Sequence, residues 1–241
     1  MKLAIVSHSG GLDSTTLIGY MLENGYIVQP INFDYGQQNI VEAQAQTNVI
    51  NYFQDRYGKD KILDSIKLEL TSIVNPLQHI ISNFRKNGFN NETLDEANLK
   101  HYFPNRNMLF VSIAGVFAET LAYFKGLTEV TVCIGIHKHT TYQPYWDITE
   151  DFANAMQNVM SLNNAMKLTV ATPFVDWTKS DIVKYMVENK IPYELTWTCY
   201  EPQIEGEHFV PCKECQACIE RKNAGIENKL KDINKYIIRR N

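Results

Sequence analysis

Short, unbroken apolar runs alternate with longer stretches whose apolar positions recur every three or four residues, and the alternation persists to about residue 190. Leu3-Ala4-Ile5-Val6-Ser7 is such a run, closed by Ser9-Gly10-Gly11, and it predicts a strand buried on both faces. The spacing over 14–23 predicts a helix that stops at Asn24-Gly25. Residues 27–33 predict a second strand, 41–53 a helix and 62–70 a third strand. Further on, 107–124 predicts a long apolar helix and 129–136 a continuous apolar strand. Residues 151–162 predict a helix, 168–171 a short last strand and 179–189 a helix. The stretch 75–100 is polar and weakly periodic, carries Asn87-Gly88 and Asn90-Asn91, and is expected to be an excursion or lid. From Thr198 the texture changes to a cysteine-rich knot with a basic tail.

Strands alternating with helices predict an α/β fold, a parallel sheet with helices on both faces. Ligands of such sheets bind at the carboxyl ends of the strands, so the loops after the first and second strands and after Ile136 are expected to share one crevice. The division expected is 1–197 as the α/β domain and 198–241 as a four-cysteine region with a C-terminal helix.

Composition narrows the function. In 241 residues, 44% hydrophobic and 21% charged, a core of ordinary size is available. The formal charge of −4 argues against duplex nucleic acid as a bulk partner. No apolar run approaches the roughly 20 residues that span a bilayer, and the first residues lack the pattern of a signal peptide. A cytoplasmic, reducing location is the expectation, and there five cysteines point to metal or catalysis rather than disulfides.

Ser9-Gly10-Gly11-Leu12-Asp13-Ser14 joins the first strand to the first helix. Its two glycines permit backbone angles that turn consecutive N–H groups around one anion, and the helix start adds its dipole and the Ser14 hydroxyl. A tight turn with Asp13 or Ser14 as N-cap is the plainer alternative. The string resembles the SGGxDS signature of the PP-loop ATP pyrophosphatases, a fold also described as adenine nucleotide alpha-hydrolase-like. That resemblance implies ATP held by Ser9, Gly10, Gly11, Leu12, Asp13 and Ser14, with AMP passed to a substrate. Asp13 suits Mg²⁺, a hard cation that bridges carboxylate and phosphate oxygens. Lys179, in Thr178-Lys179-Ser180-Asp181, matches a lysine that the family places near the phosphates; a solvated helix-end lysine is the alternative.

Cys199 is followed by Cys212, Cys215 and Cys218, the last three each two residues apart. Four thiolates suit a closed tetrahedral Zn²⁺ site of structural type. An iron–sulfur site and a sulfur relay are the rivals. Cys133 lies in an apolar strand and is expected to be core.

Taken in order, the motifs resemble one family across nearly the whole chain, the 7-cyano-7-deazaguanine synthases. The match runs through Ser9 to Ser14; Phe33-Asp34-Tyr35-Gly36-Gln37 with Glu42; Pro104-Asn105-Arg106-Asn107; Gly135; and Tyr145-x-Asp147. It continues through Thr172-Pro173, Thr198-Cys199-Tyr200 and the cysteine triplet with Arg221. The resemblance implies a homodimeric enzyme that adenylates 7-carboxy-7-deazaguanine with ATP, amidates it with free ammonia, and dehydrates the amide to a nitrile after a second activation. It implies Asp13, Arg106 and Lys179 in catalysis. Tyr35, Gln37, Arg106, Asn107, Tyr145 and Asp147 would bind substrate, Arg106 meeting an anion and Asp147 a guanine-like edge. Neither a membrane nor direct contact with nucleic acid is expected.

Three departures fall inside the motifs. The family's Tyr-x-Gln-Arg-His is Tyr35-Gly36-Gln37-Gln38-Asn39 here, its Tyr-Pro-Asp-Cys-Arg is Tyr145-Trp146-Asp147-Ile148-Thr149, and one extra residue precedes the latter. Amide and nitrile both stand as end points. His137 and His139 are read either as a substitute acid–base pair or as solvated loop histidines, the second preferred. The functional rivals are another PP-loop adenylating ligase or tRNA-modifying enzyme, and a non-enzymatic zinc module. The tail cations Lys229, Lys231, Lys235, Arg239 and Arg240 read as a solvated helix face.

Overall fold

The computed structural model describes residues 1–36, 40–87, 103–138, 145–231 and 236–237. Its centre is a five-stranded, all-parallel sheet: β1 (Lys2–Ser7), β2 (Tyr26–Asp34), β3 (Ile66–Glu69), β4 (Glu129–Cys133) and β5 (Lys167–Ala171), in the order β3-β2-β1-β4-β5. β1 is central, and its residues alternate between two cores. Leu3 and Ile5 face α5 (Arg106–Lys125) and α6 (Glu150–Met160), where they meet Val111, Ala114 and Met156. Ala4 and Val6 face α1 (Leu12–Glu23), α2 (Ile40–Tyr57) and α7 (Lys179–Glu188), where they meet Leu17, Phe53 and Ile182. Apolar residues at each of Leu3 to Val6 are therefore required, because neither face of β1 reaches water there. Phe33 of β2 stacks on Phe110 of α5, ring centroids 4.1 Å apart.

Several boundaries differ from those read along the chain. The third strand is pairing only over Ile66–Glu69, because Ile62 makes an isolated bridge to Val28 and residues 63–65 leave the ladder. The fourth strand ends at Cys133 rather than 136, since Gly135 turns in against the loop after β1. The excursion over 75–100 starts as structure: α3 (Thr71–Val74) runs through a short 3₁₀ turn (Asn75–Leu77) into α4 (Gln78–Asn87). Residues 88–100 lie outside the described residues. α5 is long and apolar enough by length and composition to cross a membrane, contrary to the expectation that no segment approaches that size. It packs instead on β1 and β4 as a core helix, Val111, Ala114, Ala118 and Ala122 turned to the sheet.

The C-terminal part adds a small antiparallel sheet of β6 (Gln203–Glu205), β7 (His208–Val210) and β8 (Tyr236–Ile237), and α8 (Gln216–Glu227), which packs against α7. Lys235, Arg239 and Arg240 of the basic tail lie outside the described residues.

Candidate functional site

The strand order reverses direction of travel beside β1, so the carboxyl ends of β1, β2 and β4 open on one crevice. The loop after β1 is tightly held there. Gly10 has φ of +80°, and a Cβ on it would lie 2.9 Å from the Gln46 amide nitrogen and 3.0 Å from the Glu42 carbonyl oxygen. Only glycine fits this backbone against α2. Ser14 Oγ accepts from the Ser9 amide at 3.1 Å and lies 3.1 Å from Ser9 Oγ. Gln46 Nε2 donates to the Ser9 carbonyl at 3.1 Å, and the Trp197 amide donates to the Gly10 carbonyl at 2.9 Å. Gly135 closes in from β4, where a Cβ would come within 3.2 Å of Asp13. The cap of α1 is the Gly11 backbone, with no side-chain cap bond, so Asp13 and Ser14 stand in its first turn and are not N-caps.

Lys179 begins α7, and its Nζ lies 2.6 and 2.8 Å from the two oxygens of Asp13. It is not a solvated lysine: its side chain is 15% exposed. The backbone of that helix start is satisfied separately, by a capping box between Thr178 and Asp181. His137 is also not a solvated loop residue. It is buried, its Nε2 lies 3.9 Å from Asp13 Oδ2, and its Nδ1 is 3.0 Å from the Lys138 carbonyl, which can only accept. Burial, and next the Lys179 ammonium, hold the imidazole below its ordinary range against the pull of Asp13. His139 lies outside the described residues.

A second corner forms where α5 begins. Asn105 adopts a left-handed φ of 55°, which turns the chain into the helix at Arg106. The Arg106 guanidinium shares a hydrogen bond with Tyr35 at the end of β2, with Tyr200 and Asp147 within range of its charge. Asp147 Oδ2 accepts the Asn107 amide at 3.0 Å, and Asn107 Nδ2 returns a bond to the Asp147 carbonyl at 2.9 Å. These two residues, both buried, thus clamp the 3₁₀ turn Trp146–Ile148 to the first turn of α5. Tyr145 is half-buried on the α5–α6 core, and the half-exposed Trp146 rests edge-on against Phe152. Gln37 lies outside the described residues, as do Gln38 and Asn39.

The Sγ atoms of Cys199, Cys212, Cys215 and Cys218 all lie within 4.8 Å of one another. Four sulfurs about 2.3 Å from one tetrahedral ion stand roughly 3.8 Å apart, so the set fits a metal with small adjustment. Backbone amides already point at the sulfurs: Cys212 N to Cys199 Sγ at 3.2 Å and Cys215 N to Cys212 Sγ at 3.3 Å. Cys133, fully buried in β4, is a core thiol pushed well above its ordinary range by burial.

Residues 3–229 match the model of the family described as queuosine biosynthesis protein QueC. Among curated relatives, proteins named 7-cyano-7-deazaguanine synthase share 34% identity over 98% of this chain and 91% of the Thermoplasma volcanium protein. The figures are 32% over 95% and 88% for Archaeoglobus fulgidus, and 31% over 98% and 99% for Oceanobacillus iheyensis. Likeness extends to a solved structure at lower identity. A 4-thiouridine synthetase–RNA complex with bound ATP has a TM-score of 0.46 at 18% identity, covering 80% of this chain and 42% of that one.

Proposed function

Because the chain belongs to the queuosine biosynthesis protein QueC family, we propose that it adenylates the carboxylate of 7-carboxy-7-deazaguanine with ATP and replaces the AMP with ammonia. It is an enzyme of the 7-cyano-7-deazaguanine synthase type, an ATP-dependent ligase. The observation that carries the reaction class is the pairing of the glycine loop with a cation from another helix: Lys179 on Asp13 at 2.6 Å.

In this reading the loop seats the pyrophosphate. A substrate carboxylate oxygen attacks the α-phosphorus, the bond to the bridging oxygen breaks, and pyrophosphate departs from the loop amides and Lys179. Ammonia then adds to the acyl carbon, AMP leaves, and one proton is released. A carboxylate cannot be attacked until its oxygen becomes such a leaving group, and holding both reactants in one crevice supplies the orientation. Lys179, released from Asp13 by the phosphates, follows their charge. Asp13 would supply oxygens for Mg²⁺, which would offset charge on the phosphates. Arg106, set by Tyr35 and Asn105, meets the carboxylate or the α-phosphate, and Asp147 accepts from the guanine-like edge. Cys199, Cys212, Cys215 and Cys218 would hold Zn²⁺, and with four thiolate ligands such an ion would supply folding energy rather than chemistry.

The amide is the product that the motif departures favour. Where the family has a cysteine and an arginine, Ile148 is buried in the α5–α6 core, and Thr149 caps α6 by accepting the Phe152 amide at 3.0 Å. Neither supplies an acid or a cation for dehydrating the amide. The names of the relatives favour the second reading, continuation to the nitrile. Mass spectrometry of products from 7-carboxy-7-deazaguanine, ATP, magnesium and ammonium separates them. Accumulating amide supports the first reading and accumulating nitrile the second, while absence of AMP release sinks both. A second copy of the chain is the expected partner, covering Val116, Tyr123 and Phe124 on one face of α5, exposed by 64, 82 and 82%. A cytoplasmic location and no nucleic-acid partner complete the reading, the latter in keeping with a net charge of −4.

A further inference from the structure

Arg221 is a buried guanidinium, 2% exposed, far along the sequence from the glycine loop. It lies three residues after Cys218 on α8, on the same side of the helix. Its Nη1 donates to Thr196 Oγ1 at 2.7 Å and its Nη2 to the Tyr193 carbonyl at 2.9 Å. The guanidinium carbon sits 4.1 Å from the centre of the Tyr193 ring, and Tyr193 OH returns a bond to the Arg221 carbonyl at 3.3 Å. Thr196, fully buried, adds a bond of 2.7 Å from Oγ1 to the Tyr193 carbonyl. Segment 193–196 is thereby locked to α8 at several points.

The next residue carries the consequence. The Trp197 amide donates to the Gly10 carbonyl at 2.9 Å, while its indole donates to the Cys199 carbonyl at 2.9 Å. In a trans peptide the carbonyl and the following N–H point in opposite directions. Pinning the Gly10 carbonyl toward Trp197 therefore turns the Gly11 N–H to the other side, where it rests on Ser9 Oγ at 3.3 Å. Gly10 at φ +80° has no side chain to oppose a flip of that plane, so something outside the loop has to fix it.

We propose that Arg221 is a positioning residue for the anion seat: through Thr196 and Trp197 it sets the Gly10–Gly11 peptide plane, and so the aim of the Gly11 N–H at the nucleotide phosphates. This rests on the reading of the loop as the nucleotide seat. A buried arginine with two directed donors is expensive to desolvate, and a scaffold role alone is met as well by an apolar residue of similar volume.

The test uses Thr196→Val, which removes one hydroxyl at nearly constant shape, and Arg221→Lys, which keeps the charge but cannot reach both acceptors. Both are made in the full chain, and their metal content and thermal unfolding are compared with wild type. Hydrogen exchange at the Trp197 amide reads the link without nucleotide, and calorimetry with a non-hydrolysable ATP analogue reads the seat. With metal content unchanged, Trp197 exchange is expected to accelerate and analogue affinity to fall, each about tenfold or more. The KM for ATP rises accordingly, and the KM for the acid moves less than about twofold. Wild-type rates at Trp197 in both variants overturn the proposal, as does wild-type affinity for the analogue in variants whose Trp197 exchanges faster. If wild type binds no nucleotide, the functional reading fails, and the exchange measurement still decides whether Arg221 holds the loop. If Thr196→Val does not fold, Arg221→Lys decides alone.

Discussion

His8 precedes the glycine loop at the end of β1 and is 1% exposed. Its backbone is satisfied, the amide donating to the Ile31 carbonyl at 2.8 Å and the carbonyl accepting from Asn32 Nδ2 at 3.2 Å. Among the described residues neither ring nitrogen meets a hydrogen-bond partner. Burial alone lowers its pKa from 6.5 to about 3. Below pH 6.5 the unfolded chain binds a proton that the folded protein refuses, so stability falls as pH falls from 6.5 toward 3 and the loss is complete near the lower value. Between pH 7.5 and 5 this amounts to about 2 kcal/mol at roughly 1.4 kcal/mol per unit. His8→Leu removes the titration and the two buried polar atoms, at similar volume. Relief of those atoms adds about 1 kcal/mol at any pH.

The variant is thus expected to exceed wild type by about 1 kcal/mol at pH 7.5 and about 3 kcal/mol at pH 5. For a chain of this length that is roughly 2–4 °C in Tm at the higher pH, and about three times as much at the lower. Urea unfolding followed by tryptophan fluorescence is a suitable assay, since Trp197 is 1% exposed. The cysteines and carboxylates titrate in both proteins, so the difference between the two isolates His8. Parallel pH profiles, or a variant less stable than wild type at both pH values, refute the reasoning.

Three further outcomes are expected. Lys179→Met leaves Asp13 without the partner at 2.6 Å and removes the mobile cation, so AMP release slows by about 100-fold or more, read by pyrophosphate assay. Asp147→Asn weakens a charge-assisted bond of 3.0 Å to the start of α5 and destabilises the fold by about 1–3 kcal/mol; an unchanged denaturation midpoint removes the clamp role. Cys215→Ser leaves three thiolates in the knot, and elemental analysis is expected to show loss of bound zinc together with a lower Tm; undiminished zinc rejects the four-thiolate site.

The central sheet was legible because a strand buried on both faces has no polar positions to confuse its reading, as in Leu3 to Val6. Strand ends were less legible where they are set by distant contacts. Cys133 ends β4 because Gly135 must approach Asp13, and nothing between residues 129 and 136 says so. The polar stretch after residue 75 concealed α4, of whose described apolar side chains Ile81 is buried and Ile80 exposed. The Gly-Gly loop and the four cysteines announced themselves through spacing. The supports of the loop did not: Gln46 and Trp197 act on backbone carbonyls, a recognition with no side-chain signature. His137 was misread for the same reason, since its burial depends on Asp13 and Lys179, neighbours brought from far along the chain.

The charges at the helix starts give the crevice its meaning. A helix N-terminus favours an anion, and a cation at its first residue is unfavourable by about 0.3–1 kcal/mol. Arg106 is the first residue of α5 and Lys179 the first of α7, so both stand on the wrong end of their helices for stability. Each is compensated locally by an oxygen that belongs to the crevice, Tyr35 for Arg106 and Asp13 for Lys179. Helix dipole and side-chain charge then add rather than cancel for an anion that meets either helix start. A phosphate ester needs one such seat. Bringing a carboxylate against an α-phosphate needs two, because the reactants repel each other until both are neutralised. In the proposed reaction, cations on two separate helices would meet that requirement, and a simple phosphate-binding turn would have no use for the second.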